Sequence, residues 1–370
     1  MRSADACPGV LRPHRAEDGA MVRLRLPGGR IAAQVLLRLV ELANAYGNGI
    51  VQLTSRAGLQ LRGLPDPLPT AFVEAITTTG LLPSVTHERV RNIVASPLTG
   101  LHGGLADVSE LTRALDLGLM NSPELAGLPG RFLFVLDDGR GDVIDLRFDL
   151  GYQATGPGGG YVLAGSPARG IAVETPEVVP TLLRMTRSFI EARAASGAWH
   201  TSELPGWPGD ARFGPVPTVS SHVGVSLGRF GDVASVSVPL ARLTAVQAHT
   251  VAAIATGPVV VTPWRGLVIP GAVAELDALA ATGLTVDEDA AWAQLSACVG
   301  LPACAKSRID TAEVAKALVS VGHPLPRTHI AGCVRRCGAP VEEYLDLVAP
   351  TVAGALTAVD QALPVIGGQR

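Results

Sequence analysis

Four of the five cysteines stand in two close pairs, Cys298-Val-Gly-Leu-Pro-Ala-Cys304 and Cys333-Val-Arg-Arg-Cys337. The pattern is Cys-x5-Cys, an intervening stretch of 28 residues, then Cys-x3-Cys. An iron–sulfur cubane needs four thiolates converging on one site, with backbone N–H groups directed at the sulfides. Gly300, Pro302, Gly332 and Gly338 supply turns that let the backbone approach such a cluster. Structural zinc is the rival, yet its cysteine pairs usually enclose roughly two to four residues, and Cys-x5-Cys falls outside that range. Two disulfides would need an oxidising compartment that nothing else in the chain indicates, and inert buried thiols have no reason to fall into pairs. The fifth cysteine, in Ala6-Cys7-Pro8-Gly9, is lone; its readings are a bystander, a ligand of a second iron, or a contact to substrate.

The remaining polar chemistry is carried by arginine. Of thirty basic residues only Lys306 and Lys316 are lysine. The net charge of −3 gives no global field for nucleic acid or an anionic membrane. The eight histidines show no His-x-x-x-His or two-His-one-carboxylate spacing. His14, His87, His102, His222 and His329 are possible metal ligands, each read first as a structural or surface residue, and His329 as a local hydrogen-bonding group or a contact to an acidic substrate. Gly156-Pro-Gly-Gly-Gly160 lacks the Lys-Ser/Thr of a phosphate loop and reads as a hairpin turn.

The elements that must position these residues are short. Glycine and proline number 42 and 28, which favours many tight turns over a long bundle. No apolar run reaches the roughly 18 residues of a membrane helix. Met1–Arg15 lacks the apolar core of a secretory signal, so the expected compartment is cytoplasmic. Alternation at Val22, Leu24 and Leu26 predicts a strand, and helical spacing predicts a helix over Ile31–Tyr46. Strands at 50–53 and 59–61 and a helix over 70–79 complete a ferredoxin-like unit. The same order returns at 233–238, 244–256, 258–262, 266–269 and 272–281. Leu53-Thr-Ser-Arg-Ala-Gly-Leu59 aligns with Val261-Thr-Pro-Trp-Arg-Gly-Leu267, which predicts a duplicated half-domain. Between the copies, strands are expected at 132–136 and 143–148 and a helix over 176–195; after them, helices over 287–295 and 312–321. The fold class is therefore α+β, divided as 1–80 first half-domain, 81–199 α/β domain, 200–217 linker, 218–283 second half-domain and 284–370 cysteine-bearing domain.

The cysteine set, with Val299-Gly-Leu-Pro302 inside the first pair and His329-Ile-Ala-Gly332 before the second, resembles the nitrite and sulfite reductase family. Thr54-Ser-Arg-Ala-Gly-Leu-Gln60, Arg91-Asn-Ile-Val94 and Leu128-Pro-Gly-Arg-Phe132 resemble further signatures of that family. The likeness implies duplicated ferredoxin-like half-domains, a 4Fe–4S cluster on Cys298, Cys304, Cys333 and Cys337, and a tetrapyrrole site. Within the family, Cys7-Pro-Gly-Val-Leu-Arg-Pro13 and Arg91-Asn-Ile-Val-Ala-Ser-Pro97 are similar to the precorrin-3B synthase branch. That branch implies O2-dependent hydroxylation of precorrin-3A with closure of a ring A acetate lactone, and a mononuclear non-haem iron as a further candidate cofactor. With no dinucleotide fingerprint in the chain, electrons are expected from a ferredoxin or an NAD(P)H-dependent reductase. Where the reductases carry two lysines that bind the anion and deliver protons, this chain has Arg131 and Leu133. Arginine gives up its proton poorly and leucine has none to give. This weakens the alternative, a sirohaem-dependent sulfite or nitrite reductase; a third reading is a non-catalytic tetrapyrrole-binding iron–sulfur protein. Arg56, Arg62, Arg91, Asn92 and Arg131 are the expected substrate-binding residues, because arginine pairs bidentately with a tetrapyrrole's carboxylates.

Overall fold

In strand Gly19–Leu24, Val22 and Leu24 are buried in the core while Arg23 between them lies on the opposite face, the period of two expected of a strand. The computed structural model describes residues 5, 7–217, 224–322, 324–340 and 343–362. Its first sheet runs in the order 14–16, 19–24, 59–64, 51–53 and 242–243, antiparallel throughout. A second sheet runs 228–230, 233–237, 266–269, 259–261 and 30–31. Each sheet thus takes its last short strand from the other half of the chain: Arg30–Ile31 pairs with Val259–Val260, and Arg242–Leu243 with Val51–Gln52. This reciprocal exchange is the structural form of the duplication expected from the sequence.

The two halves repeat each other's turn chemistry. Thr54 Oγ1 accepts from the Gly58 amide at 3.1 Å, and Thr262 Oγ1 from the Gly266 amide at 3.0 Å. Ala57 and Arg265, at matching places, both hold positive φ, 53° and 64°. Helices Ala33–Tyr46 and Ala245–Ile254 pack on one another. The first turns Leu36, Leu39, Val40 and Ala43 inward; the second begins at a capping box made by Thr244 and Gln247. One apolar core runs through both halves.

The other two layers are α/β. A six-stranded mixed sheet is ordered 214–215, 169–174, 159–164, 150–156, 134–137 and 93–95, its last three strands parallel. Helices Ser109–Met120 and Val178–Ser196 cover one face through Leu115, Leu119, Leu182 and Phe189. The opposite face, Val94 and Val135, meets Ala57 and Trp264 of the two half-domain turns. A smaller parallel sheet of 295–297, 328–331 and 345–348 is backed by helices Thr311–Ser320 and Val352–Ala362.

Three expectations are corrected. Val143–Phe148 is an irregular turn whose Val143, Ile144 and Phe148 are buried by packing, and the strand begins only at Leu150. Residues 287–295 form no α-helix: the segment has a single 3-10 turn, Ala291–Gln294, leading directly into a strand. Burial alone produces apolar runs that imitate strands and helices. Segment 200–217, aperiodic in sequence, is packed: Gly214–Pro215 joins the mixed sheet, and the Trp207 indole donates to Ser188 Oγ at 3.2 Å. The glycine run forms the hairpin between strands Leu150–Gly156 and Gly159–Ala164. Among the described residues, no helix is long and apolar enough to cross a membrane.

Candidate functional site

A cavity of about 1590 Å³ opens where all four units meet. It exceeds the roughly 300–1,000 Å³ of ordinary small-molecule clefts. The first sheet contributes Arg23, Arg25 and Gln60, and the Thr54 turn contributes Arg56. The mixed-sheet unit presents Arg91, Asn92 and Arg131, residues that precede its parallel strands. The cysteine-bearing unit presents Cys298, Cys304 and Cys337. Among the described residues the lining holds eleven arginines and Lys306 against a single carboxylate, Glu17.

The expected binding residues divide by partner. Arg91 makes a bidentate pair with Asp116 at 2.7 Å, and Arg62 pairs with Asp18 at 2.9 Å while donating to the Ala303 carbonyl at 2.7 Å. Both guanidinium groups are buried and their charge is already matched. Asn92 is a brace: Nδ2 donates to the carbonyls of Arg89 and Gly130, and Oδ1 accepts from Arg25 Nε at 3.3 Å. Among the described residues the Arg56 guanidinium reaches only the Gly130 carbonyl at 3.5 Å, and Arg131 lies over the Trp199 ring, 5.7 Å from its centroid. Burial lowers the pKa of Arg25 to about 10 and also lowers those of Arg23 and Arg56; in all three desolvation is the largest cause. Such a cluster gains by taking an anionic ligand. Leu133 is buried among Ala57, Val94 and Trp264. Lys306, one of the two lysines, lines the cavity beside Cys304.

The four paired cysteines come together. The Cys337 thiol is pushed up first by burial and then by Cys298, Cys333 and Cys304, so each stands within electrostatic reach of it. Among the described residues no three His, Cys, Asp or Glu side chains converge closely enough to hold one metal ion. Four thiols within electrostatic reach of one another are a donor set for a soft metal centre, a polynuclear cluster or a tetrahedral ion. The backbone fits as well. The Gly332 amide donates to Cys298 Sγ at 3.2 Å, a Cβ at Gly332 would overlap the Ser307 hydroxyl, and Gly338, at φ 81°, offers its carbonyl to Arg265 at 2.9 Å.

Cys7 also reaches the cavity wall. Asp5 organises its loop by accepting from the Cys7 amide at 3.0 Å and the Gly130 amide at 2.7 Å. Arg25 holds the Pro8 carbonyl at 2.6 Å, and Glu88 accepts from the amides of Val10 and Leu11. Burial and then Asp5 raise the Cys7 pKa, so the thiol keeps its proton.

The expected histidines scatter. His14 is exposed at the cavity edge, His87 is buried against the Ser122 carbonyl at 3.1 Å, and His102 packs on Phe230. His329 is buried with Nδ1 2.9 Å from Ser296 Oγ, its pKa lowered to about 4 by burial and then Arg265. It fits the local hydrogen-bonding reading and is absent from the cavity wall. His222 lies outside the described residues. Sequence reasoning missed His200, which lines the cavity with Nδ1 3.2 Å from Asp149 Oδ1. Its partner is 51 residues away in an aperiodic stretch, and no spacing signal joins them.

Residues 12–71 match the model of the nitrite/sulfite reductase ferredoxin-like half domain. The chain is 26% identical to precorrin-3B synthase of Sinorhizobium sp., over 93% of this chain and 80% of that protein. It is 34% identical to ferredoxin–nitrite reductase of Synechococcus elongatus, but over only 36% of this chain and 28% of that enzyme. Its fold is similar to that of Mycobacterium tuberculosis NirA, with a TM-score of 0.64, 19% identity, and coverage of 85% of this chain and 68% of that one. With its exchanged half-domains, the matched half-domain model and a relative spanning most of the chain, this protein is similar to the nitrite/sulfite reductase family.

Proposed function

We propose that the protein is a precorrin-3B synthase-like monooxygenase, hydroxylating precorrin-3A with O2 and closing the ring A acetate lactone. The observation that carries this reading is the cavity itself: large, lined by eleven arginines against one carboxylate, and bordered by three of the four paired cysteines. A precorrin carries acetate and propionate groups around its rim, and arginine is a permanently charged, planar partner for each. Arg56 and Arg131, which line the cavity without a carboxylate partner among the described residues, are assigned to these groups. Arg62, Arg91 and Asn92 shape the wall, their hydrogen bonds satisfied within the protein. Cys298, Cys304, Cys333 and Cys337 would hold a 4Fe–4S cluster, which supplies one-electron transfer when bound. Reduction is assigned to a ferredoxin or an NAD(P)H-dependent reductase.

One observation favours a second reading. Lys306 puts a titratable amine in the cavity, as proton-coupled reduction of sulfite or nitrite on sirohaem would require. The test is absorption of the anaerobically purified protein, then incubation with precorrin-3A, O2 and a reducing system. The synthase reading expects a broad cluster band without intense Soret absorption, and a hydroxylated lactone product. Soret bands with sulfite or nitrite turnover would overturn it. Tight precorrin binding without product would favour a carrier.

A further inference from the structure

We propose that His200, oriented by Asp149, is the proton-transfer residue of the cavity; the proposal rests on the monooxygenase reading above. Insertion of one oxygen atom from O2, with release of the other as water, takes up electrons from the external donor and an equal number of protons. Of the side chains lining the cavity, the arginines hold their protons tightly, His14 is exposed at the edge, and Lys306 stands in the cysteine-bearing unit beside Cys304. The Cys7 thiol keeps its proton as well, raised by burial and Asp5. His200 is an imidazole on that wall with a buried carboxylate on one ring nitrogen.

The geometry is built around Asp149. Its side chain is 2% exposed; Oδ1 accepts from the Thr201 amide at 2.9 Å and Oδ2 from the Leu133 amide at 2.9 Å. The His200 side chain, 29% exposed, sets Nδ1 3.2 and 3.3 Å from the two oxygens. An ionised carboxylate only accepts, so Nδ1 carries hydrogen, and Nε2 is left to gain or lose a proton. Among the described residues Nε2 has no hydrogen-bond partner. The turn bearing the ring is fixed: Gly197 ends the preceding helix at φ 69°, Arg193 Nε donates to the Ala198 carbonyl at 2.8 Å, and the Trp199 amide donates to Glu203 at 3.1 Å. Trp199 carries Arg131 on its ring, so adjacent residues place one carboxylate-binding group and one proton-transfer group on the same wall. The charged groups around His200 are Asp149, Arg131 across Trp199, Arg147, Glu203, and Arg56, whose guanidinium senses Asp149. In the step assigned to it, the Nε2–H bond of the imidazolium breaks and an O–H bond forms on the oxygen that leaves as water. The electron pair stays on nitrogen, and cavity water reprotonates it.

The experiment compares the wild-type holoenzyme with His200→Gln and His200→Ala, scored for iron and sulfide content, anaerobic optical titration with precorrin-3A, and product formation across pH. The expected result is unchanged iron content and tetrapyrrole affinity, with turnover reduced about 10²–10⁴-fold. His200→Gln changes the pH profile of turnover relative to the wild type, and added imidazole restores part of the His200→Ala rate. Wild-type product together with an unchanged rate and pH profile in His200→Gln would overturn the assignment to His200 alone. Absence of product from wild-type enzyme with bound precorrin-3A would overturn the functional reading on which it rests.

Discussion

The mixed-sheet unit and the cysteine-bearing unit are built alike around their parallel strands and differ in the side chains at the strand ends. After Ile93–Ala95 comes Ser96; after Leu295–Ala297 comes Cys298. The Ser96 amide donates to the Leu136 carbonyl and the Cys298 amide to the Ile330 carbonyl, both at 3.0 Å. The Asp138 amide donates to Ser96 Oγ at 3.1 Å, and the Gly332 amide to Cys298 Sγ at 3.2 Å. One backbone therefore carries two chemistries. The first unit's loop holds three buried carboxylates, Asp137, Asp138 and Asp142, beside Arg140, which pairs with Asp138 at 2.7 Å. The second gathers four thiols. Only the second turns this end towards the cavity; the first presents the opposite strand ends, with Arg91 and Arg131. The family's strand–loop scaffold makes a site available, and the side chains placed on it decide which end is used.

Making the second loop chemically like the first gives the largest expected effect. Cys298→Ser keeps the backbone contacts but removes a soft ligand, and Cys333→Ser and Cys337→Ser do the same. Each should lose most cluster iron and sulfide; unchanged content by chemical analysis would remove these residues from the ligand set. At the other end of the comparison, Arg56→Ala and Arg131→Ala should each weaken tetrapyrrole binding about 10–100-fold, since hydrogen bonds to charged groups contribute about 1.5–3 kcal/mol. Optical titration measures this, and equal affinities would take both residues off the binding wall.

Gly332→Ala comes next. The first unit tolerates Asp138 at the matching place, whereas a Cβ at Gly332 meets the Ser307 hydroxyl. Overpacking there should cost about 1–3 kcal/mol in denaturant unfolding; a neutral result would mean that the cysteine loop is as roomy as its counterpart.

The smallest effect concerns Asp142. Its carboxyl is raised from 3.8 to about 7, chiefly by burial, and Oδ2 has no hydrogen-bond partner among the described residues. The folded state therefore binds this proton more tightly than the unfolded chain does. The contribution of Asp142 to stability is greatest below 3.8, declines as pH rises, and is lost above about 7. Asp142→Asn, which stays neutral at every pH and keeps an oxygen to accept from Ser96 Oγ, should flatten this slope and add about 1–2 kcal/mol at pH 8 by removing a buried charge. An unchanged slope in urea unfolding measured at several pH values would place the titration on Asp137, whose carboxyl burial also raises.

Legibility followed the range of the interactions. The helix over 33–46 and the strands at 51–53 and 59–64 could be read because apolar periodicity is local. The paired cysteines were legible for the same reason: two short spacings marked four thiols as a group without knowledge of the fold, and the structure brings them within reach of one another. Val143–Phe148 misled because burial by packing gives the same apolar run as a strand. Arg91 and Arg56 look equivalent in sequence, yet Asp116 neutralises the first and, among the described residues, no carboxylate pairs with the second.

By itself the sequence determined the chemical inventory: the thiol pairs, the arginine excess, the scarcity of lysine and the repeated half-domain grammar. It read that scarcity as an argument against proton-coupled anion reduction, but tertiary structure set Lys306 on the cavity wall. Tertiary structure alone decided which charges are free, which strand ends face the cavity, that the halves exchange Arg30–Ile31 for Arg242–Leu243, and that His200 meets Asp149. The physical reason is range. Backbone periodicity and ligand spacing act over a few residues, whereas the pairing of a charge depends on side chains brought together from distant parts of the chain.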